Sequence, residues 1–377
     1  MRLLIGLAFT CGAVTLFACD PPTDGLTDGS GCNGCGVVAP AQNTPAAVVA
    51  DSSGVYWIDK GVATGNGGSG NSGFVGGQIV GVSAQGSLTF LAQQVNPTMI
   101  ALSQAAVYFD SLSVTTDSSG TQVYTTAIMR VGRDGTNLAA VAATVSGFAL
   151  LAADDSSVYW VAETPTSNGV TRSPALFKAA ADGTNPVMLA PLMQPTAIAM
   201  DATSIYVVDS VTLERLNKDG TGLTTLTTLS SLQGVRALAV DDTSLYWLVP
   251  ASEQQAQGTL VKADKQQGGV TVLASGLPAP VAGLALGGGA LYFAAVAQKY
   301  DEGAYTTIYS GEILSVPTQG GAPRLHATYT LPSTVASYNS SPWAAGLAVG
   351  GSHVYVTTAA LQSMDMQGQG DVLSIPE

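Results

Sequence analysis

The chain has 377 residues, 46% hydrophobic and only 10% charged, so it holds ample apolar material for a large core and is not a disordered segment. Its 26 acidic against 13 basic side chains leave a net charge of −13, with no basic stripe, a balance that repels phosphate backbones and excludes nucleic acid as a partner. Gly, Ser, Thr and Gln fill the polar positions, as suits a β-rich exported protein.

In chain order, Arg2 precedes an uncharged apolar run, Leu3 to Ala18, the length of a signal-peptide core and short of the ~20 residues a spanning helix needs. The run ends in Leu16-Phe17-Ala18-Cys19. This resembles the bacterial lipobox, in which a small residue precedes a Cys that is diacylated and becomes the first mature residue; Phe17 is bulkier than that slot usually holds. Residues 1–18 are expected to be a signal peptide and Cys19 the lipidation site, with ordinary signal cleavage as the alternative. A lipidated Cys19 tethers a monomeric, exported protein to the outer membrane or the periplasmic side of the inner membrane without spanning it. Cys11 leaves with the signal. Residues 19–35 read as a flexible Gly/Asp/Pro linker, in which Cys32 and Cys35 make a small local disulfide in an exported protein, free thiols or a metal being the other readings.

From residue 36 the chain repeats itself. A short apolar strand, a tight turn with Asp or Gly and then an apolar-Tyr-apolar triplet recur as AVVADSSGVYW, IALSQAAVYF, LLAADDSSVYW, IAMDATSIYV, LAVDDTSLYW, LALGGGALYF and LAVGGSHVYV, placing Tyr56, Tyr108, Tyr159, Tyr206, Tyr246, Tyr292 and Tyr355 in register. A third strand follows (QIVGVS, AIMRVG, ALFKAA, TLERLN, TLVKA, EILSV, DVLSI), then a turn and a fourth. Three of those turns hold Asp134-Gly135, Asp182-Gly183 and Asp219-Gly220, and Asp-Gly predicts a two-residue hairpin with positive φ. A period near ~45 residues with four strands per unit is that of a propeller. The expectation is an all-β domain over 36–377, a seven-bladed β-propeller of four-stranded antiparallel blades, with six blades as the alternative if one divergent unit is irregular.

The last repeat reaches Glu377 after only three strands, while Val37-Val38-Ala39-Pro40 precedes the first repeat as a spare fourth. Residues 36–40 are therefore predicted to complete blade seven and close the ring, which removes two unpaired sheet edges. The repeated phrase resembles the blades of the YWTD class found in low-density-lipoprotein receptors, of TolB and gluconolactonase-type propellers, and of bacterial propeller lipoproteins. The resemblance covers residues 36–377 and implies a fold, not an activity.

The recurrent Tyr and Trp residues are expected to fill the wedges between blades, and Asp51, Asp154, Asp201 and Asp241 to cap backbone N–H groups at the first turn. A second acidic set, Asp59, Asp110, Glu163 and Asp209, stands where the second strand ends and is expected to form a solvated channel rim. Gluconolactonase-like relatives hold a divalent metal there, so a Ca2+ ion in the central channel serving a metal-dependent hydrolase or lactonase is the alternative; the matching Glu/Asn/Asn/Asp pattern is absent. No GxSxG elbow is present, His326 and His353 belong to different strands, and the glycine run 65–70 lacks the Lys-Ser/Thr of a phosphate loop.

In a four-stranded meander, connections after the second and fourth strands share one face. They are the long ones here: 60–76, 111–126, 164–173, 250–257, 296–310, 328–342 and 358–368. Long loops on a rigid scaffold are where binding concentrates. Tyr300, Asp301, Tyr305 and Tyr309, with Tyr329, Tyr338, Trp343 and Tyr124, are the candidate contact residues, since Tyr on a rim supplies flat amphipathic area. The expected function is a non-catalytic cell-envelope scaffold that binds a protein, peptide or glycan, with no catalytic residue and no cofactor.

Overall fold

The computed structural model of the chain describes residues 32–64, 73–93, 95–116, 118–120, 122–145, 150–165, 172–229, 235, 237–249, 257–278, 280–301, 306–330, 346–358 and 369–377, and no helix occurs among them. Each repeat forms a meander of four antiparallel strands. Blade 1 consists of Pro45–Asp51, Gly54–Asp59, Gln78–Ser83 and Leu88–Gln93, and blade 4 of Pro195–Met200, Ser204–Asp209, Thr212–Asn217 and Thr224–Thr228. Blades 2, 3, 5 and 6 begin at Ile100, Leu151, Leu238 and Pro280. The first strand of every blade touches the first strands of both neighbours, in an unbroken cycle from blade 1 to blade 7 and back. The domain is a closed seven-bladed propeller with its first strands innermost.

The core lies between blades. Seven apolar clusters occupy the seven blade interfaces, each built from two adjacent sheets. Second strands are covered on both faces, so Gly54–Asp59 and Ser204–Asp209 are buried at every position and read as continuous apolar runs rather than alternating ones. The rings of the repeated phrase do the filling: Trp57, Trp247, Tyr108, Tyr159, Tyr206 and Tyr246 are all fully buried. Outer strands cover one face only, leaving Phe90, Met188 and Val272 exposed around the perimeter.

Blade 7 is Gly346–Gly350, His353–Thr357 and Gln369–Pro376, and its outermost strand comes from the other end of the domain. Gly36–Asn43 pairs antiparallel with Gln369–Pro376, from Gly36 opposite Ser374 to Asn43 opposite Gln369. Val38 and Ala39 of this strand are buried in the blade 7/1 core beside Trp57. The seam extends further back than the repeat indicated. Cys32–Asn33, assigned to the linker on composition, adds a fifth strand to blade 6 opposite Tyr329 and Thr328, and Cys35 is buried in the blade 6/7 cluster and disulfide-bonded. The N-terminal segment thus stitches across two blades. The Cys32 side chain, Cys11 and Cys19 lie outside the described side chains.

The Asp-Gly turns correct one expectation. Gly132 N–H donates to Thr136 C=O and Gly135 N–H to Gly132 C=O, with Gly135 at φ 83°; Ala180, Gly183 and Thr184, and Asn217, Gly220 and Thr221, repeat the pattern. These are three-residue turns with Gly in the left-handed position. The Asp is held by its own side chain, which accepts the N–H two residues on, from Thr136, Thr184 and Thr221. The first turn residue, immediately before Asp, faces the neighbouring blade, where Arg133 reaches Asp51 and Lys218 reaches Asp154.

Candidate functional site

The face carrying the second-to-third connections is crowned by ribbons rather than loops. In blade 2, Ala106–Thr116 and Gln122–Gly132 stay paired without a register break out to Thr116 opposite Gln122, although the first strand ends its pairing at Phe109. In blade 3 the ladder of Ser157–Pro165 with Arg172–Ala180 continues to Pro165 opposite Arg172. In blade 6, Ala290–Asp301 and Thr306–Pro317 pair out to Asp301 opposite Thr306. Blade 1 adds a small hairpin, Val62–Thr64 with Gly73–Val75, whereas blade 4 turns at once between Asp209 and Thr212 through Ser210 at φ 59°. The segments 111–126 and 296–310 are therefore strands over most of their length, and the described ends of 164–173 are strand as well. Their Ser, Thr and Gln content suggested solvated loops, but β-branched residues such as Val114, Thr115 and Val123 favour paired ribbons in which the backbone N–H and C=O groups facing the partner strand are bonded.

Of the candidate contact residues, Tyr124 stands opposite Val114 in the blade 2 ribbon. Tyr300 pairs with Thr307, Asp301 with Thr306 and Tyr309 with Gln298, which makes Tyr300 and Tyr309 diagonal neighbours in the blade 6 ladder. Tyr305, Tyr338 and Trp343 lie outside the described residues. Tyr329 belongs to the core instead. It is 4% exposed in the blade 6/7 cluster, its ring lies against Gly311, where an added Cβ would stand 1.9 Å from Cζ, and burial pushes its hydroxyl pKa up.

The acids at the end of the second strand are not a solvated rim. Asp59, Asp110 and Asp209 are 1%, 3% and 6% exposed. Asp59 accepts hydrogen bonds from the N–H groups of Asn43 and Gly61 and from the Gln78 amide. Asp110 takes the N–H groups of Thr98 and Met99 and the Thr98 hydroxyl, and Asp209 those of Met193 and Gln194. Asp110 and Asp209 collect the donors of the chain approaching the first strand of their own blade, and Asp59 takes one such donor, Asn43, beside Gly61 and Gln78, so the set fastens the strand ends and presents little free oxygen to a ligand. Burial, the larger influence, raises the pKa of Asp59 against the N–H donors that lower it. Glu163 is half-buried opposite Pro174. Among the described residues no three His, Cys, Asp or Glu side chains converge as a metal site.

On the opposite face, Asp154, Asp201 and Asp241 cap their turns through pairs of N–H groups at 2.7–2.9 Å and accept the hydroxyls of Tyr159, Tyr206 and Tyr246; Asp51 takes the Ser53 N–H. Sequence reasoning missed their second partner, which comes from the turn residue before Asp-Gly, or its equivalent, in the next blade. Arg133 grips Asp51 with both terminal nitrogens, Lys218 Nζ lies 2.7 Å from Asp154 and Lys265 Nζ 2.5 Å from Asp201. Burial opposes ionisation of Asp154, but Lys218 and the Ser156 donors overcome it and hold the carboxyl at about 2. The tyrosines are driven up to about 12, first by burial and then by the carboxylate beside them. His326 is spoken for as well: its Nε2 lies 2.8 Å from the Ser315 hydroxyl and its ring tilts against Tyr292.

No family model and no curated protein matches this chain. Among solved structures, an enzyme of glycoside hydrolase family 74 from Niastella koreensis is similar at a TM-score of 0.53 and 13% identity, over 86% of this chain and 53% of that one. A chain of the nidogen/laminin complex aligns over 63% of this chain and 81% of its own at 18% identity and a TM-score of 0.43, and the N-terminal domain of Nup159 over 94% and 98% at 9% and 0.47. At these identities the likeness is one of fold alone.

Proposed function

We propose that this protein is a non-catalytic binding scaffold of the cell envelope, held to a membrane by lipid on Cys19 and engaging a protein, peptide or glycan with its ribbon-crowned face. The observation that carries the reading is the set of two-stranded arms on blades 2, 3 and 6, which continue past the last pairing of their first strands. Among the described residues no third strand joins the outer ends of these arms, a two-stranded edge accepts an added strand, and the blade 6 arm concentrates Tyr300, Tyr309 and Asp301 on the same ladder. The rival hydrolase with a channel Ca2+ needs carboxylates free to ligate, and three of the four acids at that position are already taken by N–H and hydroxyl donors.

The test compares co-purification from native envelopes for the intact chain, a Tyr300→Ala/Tyr305→Ala/Tyr309→Ala variant, and a variant with residues 298–309 replaced by the two-residue turn of blade 4, which keeps Ala297 opposite Ser310 and Gly311 against Tyr329. Loss of the same bound component from both variants, at unchanged melting temperature, is expected. Retention by both, or a stoichiometric divalent metal whose removal abolishes a hydrolytic activity, would overturn the reading.

A further inference from the structure

The clamps on the turn face follow a rule, and one interface breaks it. At three blade boundaries a turn acid of one blade meets a cation from the next: Asp51 meets Arg133, Asp154 meets Lys218 and Asp201 meets Lys265. Blade 6 replaces the acid with Gly287, because the next blade comes so close that an added Cβ would stand 2.3 Å from Val349 Cγ1. There the carboxylate is supplied from across the boundary: a Glu377 oxygen lies 2.6 Å from that Cβ position and another 2.7 Å from the one on Gly288. The chain fills this slot with a carboxylate even where the turn itself cannot carry one.

At the boundary of blades 7 and 1 no described residue fills it. Gly350 stands where Asp154 and Asp201 stand, and an added Cβ would be 2.7 Å from Ala50 Cβ and from the Asp51 backbone. Ala84, whose N–H bonds Ser53 as that of Lys218 bonds Thr203, occupies the clamp position without a charge. Ser374, opposite Tyr355, replaces Lys178 and Arg215, the partners of Tyr159 and Tyr206. Where three charged side chains are missing, a cavity of about 380 Å³ opens, lined by these residues with Asp51, Ser352, His353 and an aliphatic wall of Val38, Val55 and Val82. The Tyr355 hydroxyl, whose counterparts in blades 3, 4 and 5 donate to Asp, has no hydrogen-bond partner among the described residues. The volume falls in the range of small-molecule sites.

We infer that this cleft binds a small zwitterion, a free α-amino acid with an aliphatic side chain. The ligand carboxylate takes the slot that Asp or Glu377 fills elsewhere and accepts from Tyr355, the ammonium faces Asp51, and the side chain lies on the valines. Asp51 and its Arg133 partner are together neutral, which matches a ligand of no net charge and disfavours a bare anion. The inference is independent of the ribbon face, since the two sites lie on opposite ends of the blades.

Calorimetric titration of the full chain with L-leucine, isovalerate (no ammonium) and isoamylamine (no carboxylate) tests it. Saturable one-to-one binding of L-leucine with a dissociation constant of about 1 mM or tighter is expected, and each truncated probe should bind at least about tenfold more weakly. Ala84→Glu, which imports the blade 6 solution, should abolish binding without lowering the melting temperature. Tyr355→Phe should weaken binding about tenfold at unchanged melting, as its hydroxyl bonds nothing among the described residues. No saturable heat up to about 10 mM leucine, equal binding by isovalerate, or undiminished binding by Tyr355→Phe would overturn the inference; the last decides even if Ala84→Glu fails to fold.

Discussion

Lys265→Met should be among the most damaging single changes on the turn face. Lys265 is only 6% exposed. Its ammonium lies 2.5 Å from Asp201 Oδ2, donates to the Asp241 carbonyl at 2.8 Å and sits 5.8 Å over the Tyr206 ring, so one side chain joins blades 4 and 5. Removing one partner of a fully buried pair costs about 3–5 kcal/mol, while exposed pairs contribute about 0–1. Asp201 keeps the N–H groups of Thr203 and Ser204 and the Tyr206 hydroxyl, which places the loss near 2–3 kcal/mol. A urea double-mutant cycle with Asp201→Asn should return a coupling of about 1.5 kcal/mol at pH 7. The sign with pH follows from Asp201: burial opposes its ionisation, but Lys265 and the turn N–H groups prevail and depress its pKa. Its contribution is therefore complete above the unfolded value near ~3.9 and fades as pH falls below that. The gap between parent and variant should narrow by pH ~2.5. A coupling below about 0.5 kcal/mol, or a gap unchanged in acid, would refute the clamp.

Two further outcomes follow from burial and hydrogen bonding. Trp247 is fully buried but its Nε1 bonds nothing among the described residues, so Trp247→Phe should cost under about 1.5 kcal/mol and Trp247→Ala about 3–5 in the same urea titration; equal costs would contradict the packing role. Asp110→Ala should leave the Thr98 and Met99 N–H groups without their acceptor and lose about 2–3 kcal/mol, with the envelope co-purification unaltered; a selective loss of that binding at full stability would return Asp110 to the functional set.

What was legible in the sequence was whatever a single repeat contains. The Tyr phrases, the turn caps formed by Asp with Ser or Thr two residues on, and the spare strand at Val37–Pro40 are local patterns, and each has its structural counterpart. What required two blades at once was not. Asp154 and Lys218 are 64 residues apart, and no local pattern joins them. The misreading of Asp59, Asp110 and Asp209 has the same origin: each takes backbone N–H groups from the segment before the first strand, whose position exists only after the blade folds, although Asp59 and Asp209 each stand opposite a proline, Pro45 and Pro195, at the start of the first strand. The ribbon arms were hidden by composition, since Ser, Thr and Gln serve solvated loops and twisted ribbons alike.

Closure by the N-terminal strand can be measured directly, by removing residues 1–43 and restoring a peptide of residues 32–43 in trans. The strand contributes a ladder from Gly36 to Asn43, the burial of Val38 and Ala39 and the Cys35 contact with blade 6, together on the order of 5 kcal/mol after ordering costs. For a domain of this size that corresponds to a fall of roughly 10 °C in melting temperature. The truncated chain should melt that much lower and recover most of the difference with excess peptide, as an added strand completes an open sheet. A truncated chain that melts with the intact one, or that ignores the peptide, would mean the ring is not sealed by this strand.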